Sequence, residues 1–77
     1  MVTLKDFIEC LDMCLDINIV FENVAYYIGY PDGRLVMIET PDGKEVEFDN
    51  SDELLNYKIN GNTLRNSFHL VTEFSAA

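Results

Sequence analysis

Two thiols and one imidazole are the side chains of this sequence best suited to catalysis: Cys10, Cys14 and His69. A thiol enzyme needs a cysteine within hydrogen-bond reach of the histidine and a lowered thiol pKa. Cys14 falls on the apolar stripe of a predicted helix, where a thiol packs as a small apolar group. His69 lies on a predicted strand and is interpreted as a surface or packing residue. We therefore predict that the protein is not an enzyme, with a small thiol enzyme as the alternative that loss of activity in Cys10→Ser or Cys14→Ser would support.

Metal and cofactor motifs give no positive signal. The two cysteines and the histidine do not have zinc-knuckle spacing. The acidic run 49–53 lacks the alternating ligands and central glycine of an EF-hand, and is interpreted as helix capping with solvated charge. No nucleophile elbow, P-loop, zinc-protease or dinucleotide motif occurs. We predict no metal site and no cofactor.

The charge is strongly acidic and unevenly distributed. The 77 residues contain 14 Asp and Glu against 5 Lys and Arg, for a net charge of −9. Residues 39–53 alone contribute −6 of that total. We predict no direct nucleic-acid binding, because such binding depends on many Lys and Arg contacts to phosphate. Such an acidic cluster either keeps the protein in solution and protects a sheet edge, or docks a basic partner.

Length and composition predict one small α+β domain over residues 1–77. The apolar content of 48% is too high for a disordered chain. No apolar run reaches the ~18 residues of a membrane span, and no signal segment is recognised. Cys10 and Cys14 lie one helical turn apart, where a disulfide would be strained. Free thiols favour a cytoplasmic location without membrane association.

Apolar periodicity predicts an N-terminal helix over 3–15, followed by a strand over 17–22. Thr3 and Asp6 have the spacing of a capping box. Two Pro-Asp-Gly turns, at 30–34 and 40–44, then predict a three-stranded antiparallel meander over 24–30, 34–40 and 44–48. Three-residue hairpin loops would pair Ile28 with Val36 and Val36 with Phe48.

This register predicts two different sheet faces. The helix is expected to pack on the apolar face, which would contain Val24, Tyr26, Ile28, Val36, Ile38, Val46 and Phe48. Three apolar residues would then lie on the reverse face beside the acids, a pattern typical of an interaction site, unless another element covers them. The predicted interaction surface comprises Tyr27, Leu35, Met37, Glu39, Asp42, Glu45, Glu47, Asp49, Asp52 and Glu53.

The C-terminal part predicts a short second helix near 51–57, capped by Asn50 and Glu53. Asn60-Gly61 marks either the left-handed end of that helix or a type I′ hairpin, and the pattern leaves both open. Residues 68–74 alternate as a closing strand, and 75–77 are expected to form a frayed tail. The predicted architecture is a mainly antiparallel sheet of four to five strands with the N-terminal helix on one face.

The chain resembles small uncharacterised proteins encoded on bacterial phages and mobile elements. The resemblance spans Leu-Lys-Asp-Phe-Ile-Glu at 4–9, the paired Pro-Asp-Gly hairpins and Asp-Glu-Leu-Leu-Asn-Tyr-Lys-Ile-Asn-Gly-Asn-Thr-Leu at 52–64. It assigns no functional residue. It implies a bacterial accessory protein and raises the hypothesis of an inhibitor that mimics DNA.

Three functional hypotheses follow. The first is a non-enzymatic protein-interaction module, a regulator or accessory protein, that binds a protein partner with a basic surface. The second is a DNA-mimic inhibitor of a nucleic-acid-binding enzyme, which would compete with DNA for one basic protein. The third is a homo-oligomeric structural domain that associates through the face of Tyr27, Leu35 and Met37.

Overall fold

A computed structural model describes residues 2–40 and 43–77 and contains an α+β fold. The helices are α1 (Leu4–Asp12), α2 (Ser51–Asn56) and α3 (Leu64–Ser67), with a 3-10 turn at Phe68–Leu70. The strands are β1 (Ile17–Phe21), β2 (Val24–Gly29), β3 (Leu35–Thr40), β4 (Lys44–Phe48), β5 (Lys58–Ile59), β6 (Asn62–Thr63) and β7 (Val71–Ala76). The predicted fold class is confirmed.

One antiparallel sheet holds five strands in the order β4-β3-β2-β1-β7. The predicted meander forms its β2-β3-β4 part, and the closing strand joins the sheet beside β1. That strand begins at Val71, later than predicted, and runs to Ala76. The prediction of a frayed tail is wrong, because the N–H of Ala77 donates to the carbonyl of Asp16 at 2.9 Å and the carbonyl of Ala77 accepts from the N–H of Asp16 at 3.0 Å.

The predicted register of β3 is wrong by one residue on both sides. Ile28 pairs with Met37, and Val36 pairs with Glu47. In the first turn the N–H of Gly33 donates to the carbonyl of Tyr30 at 3.2 Å. Continuing the observed register places Tyr30 opposite Leu35, which leaves four residues, 31–34, in the hairpin loop instead of three. In the second hairpin the last registered pair is Glu39 with Lys44, instead of the predicted pair of Thr40 with Lys44, and residues 41 and 42 lie outside the described part of the chain.

Compared with the predicted register, β3 is shifted by one residue in one direction against β2 and in the other direction against β4. The orientation of β3 alone is therefore inverted, while β2 and β4 keep their predicted faces. Leu35 and Met37 point into the core with only 3% of their surface exposed, while Val36 and Ile38 lie on the opposite face. All four side chains are apolar, and either orientation of β3 completes an apolar face. Loop length therefore decided the orientation, since a one-residue slip exchanges the two faces of a strand.

Helix α1 is shorter than predicted and ends in a Schellman motif. Its first turn has the predicted capping box, in which Thr3 and Asp6 exchange hydrogen bonds. At the other end Cys14 adopts a left-handed conformation with φ 55°. The N–H of Leu15 donates to the carbonyl of Cys10 at 3.1 Å, and the N–H of Cys14 to Leu11 at 3.0 Å, which closes the helix. Cys14 is consequently exposed and does not belong to the core stripe.

The core lies between the sheet and all three helices, on one side of the sheet. Phe7 of α1 is fully buried, and its ring centroid lies 5.4 Å from that of Phe68 and 6.3 Å from that of Phe74. Further buried residues come from α1, from the strands and from the segment 51–70: Leu11, Ile17, Ile19, Phe21, Tyr26, Ile28, Leu35, Met37, Phe48, Leu54, Leu55, Ile59 and Leu64. We call this side of the sheet the inner face.

The turn at Asn60-Gly61 is a hairpin. Asn60 and Gly61 both have positive φ, 53° and 85°, and they join the two short strands β5 and β6. Lys58 pairs with Thr63, which is the register of the type I′ alternative. The hairpin carries the chain from α2 to α3 over the inner face, where Ile59 is buried.

Candidate functional site

The side of the sheet opposite the helices, here called the outer face, is the candidate functional site. The buried helical residues all belong to the inner cluster, and Val36, although 3% exposed, lies outside that cluster. Within the described residues the outer face therefore carries only strand side chains. By strand parity they are Asn18, Val20, Ala25, Tyr27, Gly29, Val36, Ile38, Thr40, Glu45, Glu47, Glu73 and Ser75.

The middle of the outer face is apolar and its edges carry the charge. Val20, Tyr27 and Ile38 are half-buried, while Glu45 and Glu47 on β4 are exposed. Side chains two residues apart on a strand project from one face roughly 6.8 Å apart. An apolar centre with a charged rim matches the anatomy of transient protein interfaces.

A cation contacts this acidic rim in one place. Nη1 of Arg34 lies 3.2 Å from Oε2 of Glu47, and both side chains are more than half exposed. An exposed pair of this kind contributes little to stability. The carboxylate of Glu45 forms no ion pair within the described residues, so negative charge dominates this edge of the face.

Four more of the predicted acids are described by the structure, and they do not join the outer face. Glu39 pairs with Lys44 on the inner side of the sheet, because β3 is turned over. Asp49, Asp52 and Glu53 lie at the start of α2, and Asp42 lies outside the described residues. The predicted acidic surface is thus divided into separate groups, of which only Glu45 and Glu47 share a face with Tyr27.

The acids at the start of α2 stabilise the helix. The side chain of Asn50 accepts the N–H of Glu53 at 3.0 Å, and Oε1 of Glu53 accepts the N–H of Asp49 at 2.8 Å. Oδ1 of Asp52 lies 2.9 Å from Nη2 of Arg65 on α3. These contacts agree with the predicted capping role of the run 49–53.

Tyr27 crosses the outer face diagonally toward β1. Its hydroxyl donates to Oδ1 of Asp16 at 2.7 Å, and its ring covers Gly29. This hydrogen bond, with burial and the charge of Asp16, raises the pKa of Tyr27 above its usual value. The bond is present while the hydroxyl is protonated and is lost as pH rises through the raised pKa, above about 10.

Nine of the twelve side chains on the outer face were not among the predicted site residues. Val36 and Ile38 replace Leu35 and Met37 because of the register of β3. Asp16 and Glu73 reach this face because β1 and β7 pair at 16–77 and 20–73. No local pattern indicated this pairing, since the paired residues of the two strands lie 50 or more positions apart in the sequence.

Concave regions lie on both faces of the sheet. A shallow hollow of about 280 Å³ lies on the outer face around the small residues Ala25, Thr40 and Ser75. A groove of about 370 Å³ lies on the inner side, where Tyr26, Glu39 and Lys58 approach one another. Burial raises the pKa of Tyr26, with a further contribution from the charge of Glu39.

The candidate catalytic and metal-binding residues occupy different environments. Cys10 is half-buried, and Cys14 and His69 are exposed. His69 belongs to the 3-10 turn and not to a strand, so its predicted placement is wrong. In the described part of the chain, no three or more His, Cys, Asp or Glu side chains form a cluster suited to a metal ion. None of the described helices has both the length and the apolar character needed to cross a membrane.

Scans against protein-family models, curated proteins and solved structures return no match to the chain. The resemblance to phage and mobile-element proteins therefore stays a prediction.

Proposed function

We propose that the protein is a non-enzymatic interaction module that binds a basic protein partner through its outer face. The observation that carries the proposal is the position of Tyr27 and Ile38, half-buried on a sheet face without helices, next to Glu45 and Glu47. Apolar centres provide affinity, and a charged rim orients the partner and accelerates encounter. The proposal extends to a cytoplasmic regulator or accessory protein of bacterial mobile-element origin.

The size of the face favours a transient complex. Five strands spaced about 4.8 Å apart are roughly 19 Å wide, and strands of five residues are about 17 Å long. The projected area of roughly 320 Å² is well below the ~800 Å² that each partner buries in a typical stable complex. Long-range attraction by the acidic rim should therefore make a large contribution, and binding should be sensitive to salt.

The test is partner capture by the native protein and by the variant Glu45→Lys/Glu47→Lys. Captured proteins are identified, purified, and titrated against both forms at low salt and at about 0.5 M salt. We expect a partner with a basic surface whose affinity falls in the variant and at high salt, because screening shortens the Debye length well below ~8 Å.

A matched control separates the outer face from net charge. Glu9→Lys/Asp12→Lys changes the net charge by the same amount on the exposed side of α1. This control should retain most of the affinity. An affinity that changes neither with salt nor with Glu45→Lys/Glu47→Lys contradicts the proposal. An affinity that falls equally in the control variant also contradicts it.

A DNA-mimic inhibitor is the more specific form of the same proposal. The exposed Glu45 and Glu47 carboxylates on one strand edge would occupy a groove that normally receives phosphates. If the captured partner binds DNA, the protein should displace a DNA duplex from it in a gel-shift titration, and Glu45→Lys/Glu47→Lys should not. Simultaneous binding of DNA and protein would rule out this form and leave the interaction module.

A further inference from the structure

The outer strand β7 has a free edge with properties different from those of the opposite edge. Among the described residues, β1 is the only strand hydrogen-bonded to β7. Ala77 exchanges both backbone bonds with Asp16, and bonding alternates along an antiparallel pair. The N–H and C=O groups of Phe74 and Ala76 therefore point away from β1, toward the free edge.

Charged side chains protect the β4 edge of the sheet against pairing with another strand much more than the β7 edge. Three of the five residues of β4 are charged: Lys44, Glu45 and Glu47. Only Glu73 is charged among the six residues of β7. Proteins usually place charges, prolines or bulges on edges that must stay unpaired. Edge β7 has a register irregularity only at its start, beside Val71, and the rest of the strand is regular.

An apolar cleft runs beside this edge on the inner side of the sheet. It has a volume of about 400 Å³ and is lined by Val2, Phe68, Val71, Thr72, Glu73 and Phe74. Val2 is 38% exposed, which makes it one of the most exposed large apolar side chains among the described residues. A strand added to β7 would cover this cleft and bury part of that surface.

We propose that two copies of this chain associate through β7, pairing antiparallel to form a continuous ten-stranded sheet. A two-fold axis perpendicular to the sheet pairs residues that share a face, which restricts the possible registers. The register with the longest overlap places Phe74 opposite Phe74 of the second copy. It also places Glu73 opposite Ser75, so no like charges face each other.

The two neighbouring registers are less favourable. A shift in one direction places Glu73 opposite Glu73 of the second copy, and facing like charges destabilise a strand pair. A shift in the other direction places Ser75 opposite itself and shortens the overlap to residues 73–77. The distribution of charge along β7 is therefore complementary to that of a second copy in one register.

Salt distinguishes this association from partner docking on the outer face. Each copy carries a net charge of −9, so two copies repel each other at low ionic strength. Dimerisation should strengthen as salt rises, whereas binding of a basic partner should weaken. The two proposals therefore predict opposite effects of salt, and an experiment that contradicts one of them leaves the other standing.

The first test measures association by analytical ultracentrifugation over a range of protein concentrations in about 0.5 M salt. Ala76→Pro removes the outward N–H but no bond to β1, and proline is tolerated at such edge positions. Ala76→Gly keeps the N–H and serves as the matched control. We expect dimers for the native chain and the glycine variant and at least tenfold weaker association for the proline variant, with unchanged circular dichroism of the monomer.

The second test reads the register through charge at position 75. Ser75→Lys places lysines opposite Glu73 of each second copy and should tighten the dimer about 2- to 30-fold, since two cross-strand pairs form. Ser75→Glu should weaken it by a similar factor. Asp32→Asn, in the first hairpin turn, changes the net charge by the same amount as the lysine variant and should have little effect.

Three results would overturn the proposal. A native chain that stays monomeric at about 1 mM has no significant self-association through any surface. A dimer that is equally strong in Ala76→Pro uses a surface other than β7. Weakening by both Ser75→Lys and Ser75→Glu shows that Ser75 faces itself and that the stated register is wrong.

Discussion

Tyr27 and Gly29 form the most specific contact on the outer face at the scale of single residues. A Cβ atom at position 29 would lie 2.6 Å from Cζ of Tyr27, so the tyrosine can reach Asp16 only across a glycine. Gly29 is buried, and the Tyr27 side chain lies directly over it. The sequence pattern placed Tyr27 on the correct face, but its contact with Asp16 depends on the pairing of β1 with β2.

Substitution of Gly29 should depend on the presence of Tyr27. Gly29→Ala should lower the free energy of unfolding by about 1–3 kcal/mol, because the ring must move away from Asp16. In a Tyr27→Ala background the same change should be neutral or stabilising by up to ~1 kcal/mol, since alanine is favoured over glycine in a strand. Urea denaturation of the four proteins gives the coupling energy. Equal effects of Gly29→Ala in both backgrounds would show that the ring does not occupy this position.

At the scale of secondary-structure elements, helix α1 ends earlier than its apolar pattern. Leu11, Cys14 and Leu15 continue the helical spacing, so a helix to residue 15 was expected from the sequence. The structure ends α1 at Asp12 because Cys14 turns left-handed and the sheet begins at Ile17. A cysteine at this position gives no sequence signal, since glycine is the residue that normally marks it.

Cys14→Gly should stabilise the protein. A left-handed conformation is strained for a residue with a Cβ atom, and glycine at the end of a Schellman motif removes that strain. We expect the free energy of unfolding to rise by about 0.5–1 kcal/mol, measured by urea denaturation. The matched control Cys10→Gly, within α1, should lower it by about 1 kcal/mol or more. Loss of stability in Cys14→Gly would contradict the observed helix end.

The inverted orientation of β3 is a second feature at this scale that the sequence pattern did not predict. The doubled Pro-Asp-Gly signal correctly predicted two turns and three strands. It did not determine the loop length, because a glycine with positive φ, as Gly33 has with φ 79°, is suited to three-residue and to longer hairpin loops alike. Leu35, Val36, Met37 and Ile38 are all apolar, so strand polarity could not correct the error.

At the scale of the whole molecule, Phe7 connects elements that are distant in sequence. Its ring packs against Phe68 and Phe74, which joins α1 to the 3-10 turn and to β7. A domain of this size has a total stability of roughly 4–12 kcal/mol, from 0.05–0.15 kcal/mol per residue. One aromatic side chain at such a junction therefore contributes a large part of the total.

Phe7→Ala should cost about 3–5 kcal/mol, because it removes a fully buried ring and leaves a cavity between three elements. We expect a variant that is partly or completely unfolded at 25 °C, measured by circular dichroism and urea denaturation. Met13→Ala is the control, since Met13 is 66% exposed and its loss should change stability by less than about 0.5 kcal/mol. A Phe7→Ala protein of native stability would contradict the central packing of α1.

The sequence by itself determined the fold class, the capping box of α1, the meander and the acidic balance of the chain. These follow from local rules: helical and strand periodicity, turn residues, and composition. Only the tertiary structure decided which side of β3 faces the core, that β7 pairs with β1, and which carboxylates share a face with Tyr27. Those features depend on loop length and on contacts between segments more than 50 residues apart, where many arrangements satisfy the same local preferences and only packing of the complete chain selects one.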